Sequence, residues 1–197
     1  MKKFYCGVLV LLVMCSFSGC RGTGTSPAKD MQGDKTSGIM YNKFNIHVHY
    51  KTAGDIKAHC ANWTGPFSGH RVIPTGTPMV VKPWSKGFIL ERTDNGEKIH
   101  FIFSSKIMAM ERDAYIDTIL SGQKVSLGQF SAVDQQGIKD GTAIKGMTKK
   151  GIMTALGYPA AHRTPSLDAY EWIYWTNRFK TYAVIFDKNG RMIDRRN

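Results

Sequence analysis

Apolar and polar positions along the chain fall into three patterns. The first is an unbroken apolar run, FYCGVLVLLVM, from Phe4 to Met14. The second is alternation. From Lys43 to Tyr50, Phe44, Ile46, Val48 and Tyr50 share one side, and Asn45, His47 and His49 share the other. Period two belongs to a strand with one buried face. Similar short stretches occupy 55–63, 72–81, 88–93 and 98–103. Asp94-Asn95-Gly96 separates the last two, and Asn-Gly between alternating runs is a strong hairpin signal. The third pattern is helical. Over 106–121, Met108, Tyr115 and Ile119 fall on one face, Ile116 and Leu120 lie beside it, and Gly122 ends the segment. Together these predict a small all-β domain over 41–122, SH3-like in subtype, with one trailing helix.

Residues 123–136 read as a connector, and 137–197 carry sharper signals. Thr148 is a candidate N-cap, and Gly157 a left-handed C-terminal cap followed by Pro159. Met147 and Ile152 then occupy the two positions of a hydrophobic staple. The intervening helix, Lys149 to Leu156, is short and weakened by Gly151, so it needs packing from elsewhere. Strands follow at 170–175, 179–186 and 191–193, with turns at 176–178 and 187–190. Helices on one face of a three-stranded meander give an α+β plan, with Trp172 and Phe186 filling the interface.

The order Gly146-Met147-Thr148, Leu156-Gly157-Tyr158-Pro159, Trp172-Ile173-Tyr174, Val184-Ile185-Phe186-Asp187 and Gly190 resembles the BamE/SmpA/OmlA lipoprotein domain. The resemblance covers residues 137–197 or slightly more, which makes 123–197 the expected BamE-like domain. It implies two helices on three strands, with the first helix near Gln135 to Asp140 ending at Gly141. It also implies a supporting role in outer-membrane protein assembly.

The N-terminus adds an address. Lys2 and Lys3 precede an apolar run too short for a membrane-spanning helix, as in a secretory signal. Phe17-Ser18-Gly19-Cys20 resembles a bacterial lipobox. That resemblance implies removal of residues 1–19 and lipidation of Cys20, an anchor of sufficient strength with more than one acyl chain. With Arg21 after the cysteine, the sorting rule of that class implies the periplasmic side of the outer membrane. Residues 20–40, rich in Gly, Ser and Thr, read as a disordered tether with a reach of about 25 Å.

Composition changes the picture in two ways. At 42% hydrophobic and 21% charged, the chain can bury a core. Lys and Arg number 27 against 15 Asp and Glu, a net charge of +12 that suggests nucleic acid. Loss of Lys2 and Lys3 leaves 25 against 15, or +10, on a protein outside the cytoplasm. The expected partners are therefore the membrane through the anchor, envelope proteins, or peptidoglycan, and not nucleic acid.

Candidate chemistry is sparse. His47 and His49 share a strand face, and His59 and Cys60 follow, without the ligand spacing of a zinc site. Solvated strand histidines and a buried thiol are the expectation. Cys60 lacks the local signature of a nucleophile. With Cys6 and Cys15 in the signal and Cys20 lipidated, Cys60 has no disulfide partner. Ser121 and Lys124 match an SxxK pattern without its companion motifs. The best interaction candidates are Tyr158, His162, Arg163, Tyr170, Trp175 and Arg178, because aromatic and Arg side chains dominate binding hot spots. The sequence thus predicts a non-catalytic envelope lipoprotein with no metal and no cofactor beyond its covalent lipid. A wall-binding module using an SH3-like groove is the alternative.

Overall fold

Alternating segments put most of the chain into sheet. The computed structural model describes residues 38–50 and 54–197; the signal segment, the lipobox and nearly all of the tether lie outside them. In order, the elements are β1 (Met40–Asn42), β2 (Ile46–Tyr50), β3 (Ile56–His59), β4 (His70–Ile73), β5 (Pro78–Trp84), β6 (Gly87–Arg92) and β7 (Lys98–Ile102). There follow α1 (Ser105–Met108), α2 (Arg112–Ile119), β8 (Leu120–Ser121), α3 (Ala132–Asp140), α4 (Lys149–Leu156), β9 (Glu171–Trp175), β10 (Thr181–Phe186) and β11 (Met192–Arg196). All described residues belong to one compact unit, and none of their helices is long and apolar enough to cross a membrane.

The expected fold class does not hold. The chain is not a small SH3-like domain followed by a BamE-like fold of two helices on three strands. It is mostly sheet: a curled, mixed eight-stranded sheet in the order β4-β2-β3-β7-β6-β5-β1-β8, and a three-stranded sheet in the order β11-β10-β9. Three features of the larger sheet lie beyond local pattern. β3 and β7 pair in parallel, with Ala58 opposite Phe101 and His59 opposite Ile102. β1 begins at Met40, a position read as tether, and pairs with both β5 and β8. Segment 106–121 is two helices because Ala109 takes a left-handed conformation, with φ 53°, and ends α1. Its last residues then leave the helix, and Leu120 pairs with Asn42.

Other local signals match. Gly96, with φ 72°, closes the β6–β7 hairpin. Thr148 caps α4, its Oγ1 accepting from the Gly151 N–H at 3.0 Å. Gly141 ends α3 in the left-handed region. Gly157 follows α4 with φ 85°, but its ψ of −177° is extended and not that of the left-handed cap. A side chain at Gly157 would run into the Asn62 amide.

Two cores result. The first joins Ile46, Val48, Ile73, Leu90, Ile99 and Phe101 of the large sheet with Met108, Tyr115 and Ile119 of α1 and α2. The second packs Ile138, Met147, Ile152 and Leu156 on Trp172, Tyr174, Val184 and Phe186. Trp172 and Phe186 meet edge-on at 4.9 Å, as expected of the interface residues. The opposite face of β2 is not solvated as the alternation suggested. Asn45 and His47 are 2% and 1% exposed, because the backbone of α3 and α4 covers them.

Candidate functional site

A cavity walled by Trp63, Phe103 and Trp175, with Arg178 at its edge, lies where β3 and β7 end, beside α1 and the β9–β10 turn. Its volume is about 250 Å³. Parallel pairing brings His59 beside Ile102, and the Cys60 N–H donates to the Ile102 carbonyl at 3.0 Å. Asn62, with φ 51°, then turns the chain. Thr64 and Gly65 donate their N–H groups to the Trp175 and Thr176 carbonyls at 2.9 and 3.0 Å. A Cβ at Gly65 would strike Thr176, so only glycine allows this approach. The segment after β3 is thereby laced to the end of β9.

The aromatic side chains stack in pairs. Trp63 lies on His59 with ring centres 3.7 Å apart, and Trp175 faces His162 at 6.0 Å. His162 is fixed from the other side by its backbone N–H, which donates to the Ile107 carbonyl at 3.1 Å. The Trp175 indole N–H is buried and has no acceptor in the protein. A buried donor left unpaired is costly. Arg178 is exposed in the turn, its guanidinium 5.4 Å from the ring of Phe179, itself 83% exposed.

The electrostatics are one-sided. Among the described residues, no Asp or Glu lines the cavity and none pairs with Arg178. Burial pushes His59 down to about 4, helped by neighbouring His49 and Lys57, so it is neutral at neutral pH. Arg178 then supplies the fixed positive charge. Burial also pushes the Cys60 thiol up, the opposite of what a thiolate nucleophile needs.

The six interaction candidates separate. His162, Trp175 and Arg178 meet at the cavity. Tyr158 instead packs against Phe44 at 6.5 Å, and Arg163 and Tyr170 are exposed without lining it. The histidines expected to be solvated are not. His47 is enclosed, with Nε2 3.0 Å from the Ala155 carbonyl and Nδ1 3.0 Å from His70 Nε2. A carbonyl only accepts, so Nε2 carries the proton and Nδ1 accepts from His70. Burial pushes His47 down to about 4. His49 stacks on His59 and Trp63 at 5.2 and 5.1 Å. Among the described residues, no three His, Cys, Asp or Glu side chains gather as a metal site would require. Cys20 lies outside the described residues.

Sequence reasoning missed Trp63, Phe103 and Ile107 as cavity walls. The available signal was His59-Cys60-Ala61-Asn62-Trp63 running into Gly65-Pro66, a compact aromatic turn. What placed it opposite Trp175 is tertiary packing. No protein-family model, curated protein or solved structure matches this chain.

Proposed function

We propose that the chain is a non-catalytic lipoprotein, held by a lipid on Cys20 at the periplasmic side of the outer membrane, that binds an envelope protein at the His162–Trp175–Arg178 cavity. The convergence of these three side chains on one concavity carries the reading. Aromatic and Arg groups in partly desolvated pockets supply most interface energy. Exposed Phe179 extends the same surface. The anchor is supported by the Lys2-Lys3 start, the short apolar run and the lipobox-like ending at Cys20. The specific role in barrel assembly is not carried forward, because it leaned on a fold that the eight-stranded sheet replaces. Wall binding through an SH3-like groove falls with the same correction.

The test is photo-crosslinking in cells, with the reactive side chain at position 178 and, as control, at Lys82 on the exposed part of β5. The reading expects discrete adducts from 178 that are missing from 82, and palmitate labelling that disappears in Cys20→Ala. Identical adduct patterns at the two positions, or labelling that survives Cys20→Ala, would count against it.

A further inference from the structure

We propose that the cavity is a site for a small monocarboxylate with a planar apolar body, an aryl acid. This rests on reading the cavity as the interaction site and names the chemistry that it takes. Size comes first. About 250 Å³ lies just below the usual range of small-molecule pockets, about 300–1,000 Å³. One ring with a short arm fits that space; an extended chain does not. The walls come second. Trp63 and Trp175, each stacked on a histidine, offer planar apolar surface, and Ala61, Phe103 and Ile107 extend it beside the small Ser104 hydroxyl. Rings favour such neighbours in offset or edge-on packing.

Charge decides the rest. Arg178 offers a fork of donors that matches a carboxylate, and among the described residues no acidic side chain lines the cavity to repel one. A neutral or cationic ligand would satisfy the ring surfaces and leave the guanidinium unused.

The experiment titrates the full-length chain in non-ionic detergent with phenylacetate and with its uncharged analogue phenylacetamide, following tryptophan fluorescence and heat. The acid should bind about tenfold tighter than the amide, as befits one charge-assisted contact. Arg178→Gln, at an exposed turn, should bring acid and amide to parity. Trp175→Ala should weaken both, since it removes a ring from the cavity wall. Parity in the native chain, or an acid preference that survives Arg178→Gln, overturns the site. N-acetyl-glycyl-phenylalanine as its free acid separates two sources of the same chemistry. Tighter binding than phenylacetate assigns the ligand to the end of a polypeptide, and weaker binding assigns it to a free acid. Crosslinks that persist from position 178 while the acid shows no preference would overturn the carboxylate site and leave the partner reading standing.

Discussion

Residues 40–121 and 130–196 build their cores in different ways. The large sheet gathers medium-sized apolar side chains from segments far apart in sequence, and its buried polar groups are met one by one by the backbone of other segments. Asn42, for example, donates to the Pro74 carbonyl at 2.9 Å and accepts from the Thr77 N–H at 2.7 Å. The second region concentrates its polar satisfaction on one carboxylate. Asp134, 2% exposed, accepts from the Ser131 hydroxyl at 2.8 Å and from the Thr148 N–H at 2.8 Å, with the Thr148 hydroxyl 3.2 Å away. Thr148 in turn caps α4. A Cβ at Gly151 would collide with the Asp134 carboxylate, so the glycine that weakens α4 locally is what lets α3 and α4 close on each other. Injury to the first region should therefore scale with volume lost, whereas the second should fail through a single network.

The sharpest break in that contrast is Asp134→Ala. It strips the partner from three donors at once, and each buried donor left unsatisfied costs about 1–3 kcal/mol. Urea unfolding should show that loss, with Thr148→Ala costing about 1 kcal/mol and the double variant less than the sum. Full additivity would mean that no shared network exists. Leu90→Ala is the counterpart in the large sheet. A buried Leu truncated to Ala costs about 3 kcal/mol, set by how far the site collapses. A second variant elsewhere in the first core should add to it nearly in full.

A third test addresses the join between the regions. Asn45 donates to the Ile138 carbonyl at 2.6 Å and the Ala155 carbonyl at 3.2 Å, and His47 donates to the Ala155 carbonyl beside it. The folded chain holds His47 neutral down to about 4, against an ordinary value of 6.5. Above pH 6.5 the contribution is fully present. As pH falls below that value, the unfolded chain takes up a proton that the folded chain refuses, and stability declines until about pH 4. A protonated His47 Nδ1 would also confront the donor on His70 Nε2. The His47 share of the decline is on the order of 3 kcal/mol. His59, also pushed down to about 4, titrates over the same range, so His47→Gln should make denaturation curves taken between pH 4 and 7 shallower without levelling them. An unchanged slope would show that the join does not depend on neutral His47.

How much of this was legible follows the same division. Short-range chemistry announced itself: the Thr148 cap, the Asn95-Gly96 hairpin turn, and the strands around Trp172 and Phe186. Each depends on neighbours within a few residues. The large sheet was legible as strands and illegible as a sheet, because parallel pairing of β3 with β7 and the closing strands β1 and β8 depend on partners far along the chain. Half of the site went the same way. Trp175 and Arg178 stood out by residue type, but only tertiary packing sets them against Trp63. His47 misled because a polar residue on an alternating strand reads as solvent-facing until a helix terminus covers it.

The smallest expected effect separates the cavity from the core that it adjoins. Cys60 is 3% exposed and counts among the buried residues of the first region, yet it also lines the cavity. As a small apolar filler it should respond to Cys60→Ala with a loss of about 1 kcal/mol, the scale of a modest truncation beside space that already exists. Its thiol is held protonated by burial, so nothing chemical is removed with it. Phenylacetate affinity and crosslinking from position 178 should be unchanged within error. A loss of binding without a matching loss of stability would instead give Cys60 a direct role at the cavity wall.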